Sequence, residues 1–144
     1  MSSKKHAGIL ILFFLGIHLG FSQSGTISIT VKGISPSKGG NVSAGVFVKG
    51  NFPKDGQQFS GQVVAAASEQ VTLTFDSIPV GEYGIAVYQD IDRNGKLKTN
   101  LVGLPTEPIG FSNDAKIFFG PPSFEDAKIE VKKGEITNVN IYLK

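Results

Sequence analysis

Apolar residues recur at every second position in six separate runs of this chain, a spacing that dictates β-strands. Ile27, Ile29 and Val31 alternate with Thr26, Ser28 and Thr30. Val42, Ala44, Val46 and Val48 alternate with Ser43, Gly45 and Lys49, with Phe47 breaking the polar face. The pattern returns at Val71, Leu73 and Phe75, at Tyr83, Ile85 and Val87, at Ala127, Ile129 and Val131, and at Val139, Ile141 and Leu143. Successive strand side chains point to opposite faces, so each run offers one face to a core and the other to water. A seventh run, Lys116 to Phe119, is β-prone but too short to display a face. Only Gln62 to Gln70, with three consecutive alanines, allows a turn or two of helix.

Turn chemistry separates the runs. Lys38-Gly39-Gly40-Asn41 permits positive φ after the first, and Lys132-Lys133-Gly134-Glu135 suits a hairpin joining the last two. In Ile78-Pro79-Val80-Gly81-Glu82-Tyr83 the proline presets one turn residue and the glycine relieves the next. Tyr83 then enters the following strand facing inward, as where a chain crosses between two packed sheets. Short alternating strands without intervening helices predict an all-β fold, an antiparallel two-sheet β-sandwich of immunoglobulin-like or prealbumin-like kind with about seven strands. Two connections exceed turn length, Lys49 to Gly61 and Asn94 to Ala115. Long connections in a compact domain commonly carry function.

Residues 1–22 have the form of a secretory signal: Lys4 and Lys5, an apolar run from Ala7 through Phe21, then small polar residues. Cleavage after Ser22 or after Ser24 satisfies the small-residue rule. The competing reading, a retained anchor, needs roughly 20 apolar residues, more than this run supplies. Residues 23–144 are then a single exported β-sandwich domain, periplasmic or extracellular. Without Lys4 and Lys5 the 14 basic and 12 acidic residues become twelve of each, so the mature domain is formally neutral. Overall charge thus names neither nucleic acid nor an anionic membrane as partner.

Both histidines, His6 and His18, fall in the leader, and the chain has no Cys and no Trp. Ser-His-Asp and Cys-His catalysis, and zinc, iron or copper sites built on His or Cys, lack their side chains in the mature domain. Disulfides are equally excluded, as is lipid attachment through cysteine. The fold must rest on its core, with a hard metal as the one available support.

Asp90, Asp92 and Asn94, followed by Gly95, form the first half of a calcium-loop pattern at the end of a strand. Alternate oxygen-bearing side chains would converge on one ion, Lys96 could add its backbone carbonyl, and Leu97 would anchor the loop. The closing Glu is missing, since the twelfth position is Leu101, so Glu107 or Asp114 would have to supply that carboxylate. The alternative is a plain turn, with Asn94-Gly95 supplying positive φ and the carboxylates facing water. Tyr88, Phe111, Phe118, Phe119 and Phe124 either line a ligand groove or form a satellite core under the long connection.

Pro79-Val80-Gly81-Glu82-Tyr83, Asp90-x-Asp92-x-Asn94-Gly95-Lys96-Leu97, Gly103-Leu104-Pro105-Thr106-Glu107, Gly110-Phe111-Ser112-Asn113 and Pro122 to Ala127 carry a resemblance. In that order they are similar to a family of secreted bacterial proteins known as domain of unknown function 2141, from about Gly25 to Lys144. The resemblance implies one exported β-sandwich and assigns no activity, substrate or catalytic residue. Members often carry an acidic residue after the Lys-Leu pair, where this chain has Lys98.

The resulting expectation is an exported non-enzymatic binding or structural module. Its long loop, stiffened by a low-affinity Ca²⁺, would present Glu107 to Asn113 to an envelope protein, a glycan or another copy. Two other readings stand beside it: a small hydrolase using the loop carboxylates as acid and base, and an accessory domain in cell-envelope assembly or transport.

Overall fold

A computed structural model describes residues 23–144; the expected signal lies outside the described residues. The strands are β1 (Ser24–Lys32), β2 (Asn41–Phe47), β3 (Ser60–Ala65), β4 (Gln70–Pro79), β5 (Gly81–Asp90), β6 (Ile109–Phe111), β7 (Ile129–Val131) and β8 (Ile136–Tyr142), with one helical turn, α1 (Phe124–Ala127), before β7. They build an all-β sandwich. One sheet has the order β4-β1-β8, and the other the order β3-β2-β5-β6, with β7 pairing the start of β5.

The expected alternation places the core. Ile27, Ile29 and Val31 of β1, Leu73 and Phe75 of β4, and Val139 and Ile141 of β8 face Val42, Ala44 and Val46 of β2 and Ile85 and Val87 of β5, all buried in one cluster. The chain crosses between sheets at the expected corner. β4 ends at Pro79, β5 begins at Gly81, and the buried Tyr83 donates its hydroxyl to the Pro79 carbonyl at 2.8 Å. Gly39 and Gly40 take the positive φ values, 67° and 81°, that the β1–β2 connection was expected to need.

Five expectations need correction. Lys132 to Glu135 joins no hairpin: β7 pairs antiparallel with β5, whereas β8 runs parallel to β1, so this turn carries the chain between sheets. That parallel pair also departs from a wholly antiparallel sandwich. The alanine-rich segment begins as strand β3, because pairing with β2 and the docking of Val64 on the core outweigh alanine's helix propensity. Lys116 to Phe119 forms no strand, and Phe118 and Phe119 are exposed. The run expected from Ala127 starts instead with a helical turn, where the Ser123 side chain caps the Asp126 N–H at 3.2 Å.

The outer face of the β3-β2-β5-β6 sheet is covered at the Phe47 end of β2 and over Gly84 of β5. Phe52, from the β2–β3 connection, lies across β5 and meets Phe47, Phe111 and Phe124 edge-on at centroid distances of 5.9, 6.0 and 6.0 Å. Gly84 makes this possible, since a Cβ there would sit 2.6 Å from the Phe52 ring. Phe47, which broke the polar face of its run, is thus a core residue of this second layer.

Candidate functional site

The end of β5 turns on its own side chains. Asp90 accepts the Asn94 N–H at 3.1 Å and the Gly95 N–H at 2.8 Å, and Asn94 Oδ1 accepts the Lys96 N–H at 2.8 Å. Asp92 Oδ1 also faces the Asn94 N–H, at 3.2 Å. Positive φ falls on Arg93 and Gly95, rather than on Asn94 and Gly95. Glu107 reaches back from the far end of the loop, Oε1 accepting from the Ile91 N–H and Oε2 from the Lys98 N–H, each at 2.9 Å. It therefore clips the two ends of the turn together.

One carboxylate oxygen from each of Asp90, Asp92 and Glu107 lies within 4.8 Å of the others. Asp90 and Glu107 are only 3% and 5% exposed. Among the described residues, the one ion pair made by this trio is a long contact of 4.0 Å between Lys98 Nζ and Asp92. A carboxylate oxygen that accepts one N–H keeps a further lone pair. Oxygens each about 2.3–2.6 Å from a common Ca²⁺ must lie within about 5 Å of one another, a spacing this trio meets. Asn94 and the Lys96 backbone adjoin the cluster on the same turn. Asp114 does not join it: its carboxylate accepts from Lys144 Nζ at 2.8 Å, which lowers its pKa, and it lines a separate shallow concavity with Asn138 and Asn140. The Glu107 and Asp114 pair that a general acid and base would need is not assembled in the cluster.

Beside this loop, over the outer face of β2 and β5, runs a groove of about 500 Å³. Ser43, Gly45, Ala86 and Tyr88 form its floor, Ile109 and Ile117 one wall, Leu97, Thr99 and Gly103 to Pro105 another, and Pro53 to Gly56 with Gln58 a third. The half-buried Tyr88 hydroxyl has its pKa raised mainly by burial; Ser43 opposes the shift, and the carboxylates of Asp55, Asp90 and Glu107 add to it. Of the aromatic residues weighed for a groove, Tyr88 and Phe111 line it, whereas Phe124 packs into the satellite core, as Phe111 also does. Both readings of that set are therefore partly met. The floor itself had one sequence signal, the small residues Ser43, Gly45 and Ala86 on a single face of the two strands. Gln89 and Ser112, buried and polar, gave none.

An all-β sandwich with a partly covered outer sheet face, a groove and an acidic turn defines the class. Within it, the chain belongs to a family described as uncharacterized proteins conserved in bacteria, DUF2141, whose model matches residues 29–139. No curated protein and no solved structure matches the chain.

Proposed function

We propose that this chain is an exported, non-enzymatic binding module whose ligand seats in the groove over β2 and β5. The observation that supports it is the groove: about 500 Å³, mostly apolar, with the Tyr88 hydroxyl and Ser43 on its floor. Ligand sites typically enclose about 300–1,000 Å³ and combine an apolar lining with a few polar groups. The chemistry favours an elongated apolar ligand bearing one hydrogen-bonding group. Export rests on the leader pattern of residues 1–22. Titration with the neutral fluorophore N-phenyl-1-naphthylamine should show saturable one-site uptake, and Ser43→Phe, which fills the floor, should abolish it while leaving the melting temperature intact. Equal uptake by both proteins would sink the groove as the seat.

The acidic turn supports a companion reading, in which Ca²⁺ held by Asp90, Asp92 and Glu107 stiffens one wall of that groove. Three carboxylates converge there with little cationic compensation, so a divalent ion relieves their mutual repulsion. With few charged ligands, affinity should fall near about 10⁻⁴–10⁻³ M. Millimolar Ca²⁺ should raise the melting temperature of the wild type but not of Asp92→Asn, which keeps the turn's oxygen acceptor. No rise in the wild type rejects the ion.

A further inference from the structure

Among the described residues, the four most exposed large apolar side chains stand on two loop tips. Leu101 and Phe119 are fully exposed, and Val102, Leu104 and Phe118 stand out beside them. Folding has not left them loose. In the first tip, Asn100 Oδ1 accepts the Val102 and Leu104 N–H groups at 3.0 and 2.9 Å, the Asn100 N–H donates to the Leu104 carbonyl at 2.8 Å, and Gly103 takes φ 82°. That closed turn throws Leu101 and Val102 outward. In the second, Phe119 itself adopts φ 51°, a conformation disfavoured for a bulky residue, before Gly120-Pro121-Pro122. Both tips stand on loops whose neighbouring residues, among them Leu104 and Ile117, line the same groove.

Charge follows the same pattern. The domain is formally neutral, yet residues 93–106 carry Arg93, Lys96 and Lys98, residues 115–123 carry Lys116, and neither segment holds an acidic residue. Apolar tips on loops that carry these cations, of which Lys98 also contacts Asp92 at 4.0 Å, match the chemistry of an anionic lipid interface. The apolar groups enter the acyl boundary while lysines and arginine meet headgroup phosphates. A protein partner fits less well, because two protruding fingers bury little surface against a flat face.

We propose that the Leu101 and Phe119 tips dock this protein onto the surface of an anionic bilayer without crossing it. Docking through the tips is independent of what fills the groove and of any ion in the acidic turn. The test is co-flotation of the purified mature domain with vesicles of phosphatidylglycerol and phosphatidylethanolamine in equal parts, against vesicles of phosphatidylcholine alone. The wild type should float with the anionic vesicles, less so at high salt, and L101S/F119S should lose about tenfold or more in partitioning at unchanged melting temperature. Because the chain has no Trp, Phe119→Trp supplies a single reporter, whose emission should shift to the blue and be quenched by brominated acyl chains. Failure of the wild type to float, equal flotation of L101S/F119S, or an unshifted Phe119→Trp spectrum on vesicles overturns the proposal. So does a vesicle-free dimer of the wild type that L101S/F119S dissolves, since the tips would then join two copies.

Discussion

Gln89 continues the inward face of Ile85 and Val87, yet it is a polar side chain with no exposure. Its Oε1 accepts the Ser35 N–H at 3.0 Å, and its Nε2 donates to the Ser35 and Gly39 carbonyls at 2.9 and 2.7 Å. One side chain thus satisfies three backbone groups of the β1–β2 connection. Gln89→Ala should lower unfolding free energy by roughly 1–3 kcal/mol, because those part-buried groups lose their partner, and urea denaturation would show it. Tyr83 makes a smaller contribution: its one hydroxyl bond to Pro79 suggests a loss of about 1 kcal/mol in Tyr83→Phe. Burial also raises the Tyr83 pKa above its ordinary 10.0. The unfolded chain therefore ionises first, so this stability is complete below about pH 10 and fades as pH climbs through the folded value. Urea midpoints at pH 8 and pH 11 should differ less in Tyr83→Phe than in the wild type. The sequence made Tyr83 readable because Pro79 and Gly81 mark the corner. Gln89 was not, because its partners lie 50 and 54 residues away.

At the scale of elements, the alternating runs disclosed which residues line the sandwich core but not how the strands are ordered. Period two assigns a face to each side chain, whereas pairing depends on which edges meet, and local sequence carries no such record. The β7–β8 turn illustrates this: Gly134 takes positive φ as a hairpin would, yet β7 and β8 enter different sheets. Glu107 was one of two residues that could close the acidic turn, and only the fold separates it from Asp114. The layer over β5 was less readable still, because it depends on Phe52, from a loop with no periodicity, meeting Gly84. Phe52→Ala should cost about 3–5 kcal/mol, as a buried ring is lost and its three aromatic neighbours face a cavity. Gly84→Val should be as harmful, because its side chain would have to displace that ring. Limited proteolysis should then cut the 48–59 connection in both variants before it cuts the sheets.

The molecule as a whole has two apolar layers that depend on each other unequally. The sandwich core joins both sheets through strands distant in sequence, whereas the outer layer holds connections against one finished sheet. The outer layer can open while the sandwich stays shut; the reverse would remove the surface it rests on. Amide exchange should therefore be slowest in β1, β2 and β5, which are paired on both edges, and fastest in 116–120, whose N–H groups find no acceptor among the described residues. β8 is the strand that closes this dependence. It covers one edge of β1, contributes Val139 and Ile141 to the core, and passes on to Lys144, whose backbone exchanges hydrogen bonds with Ile109 of the other sheet at 3.1 and 3.2 Å. Deleting residues 134–144 would bare the edge of β1 and remove core side chains at once. The truncated chain should show no cooperative melting transition by circular dichroism. Adding the missing segment as a separate peptide should restore one, because β8 lies at a sheet edge and meets an otherwise complete site. A truncated chain that melts cooperatively without the peptide would mean that β4 and β1 close the core alone.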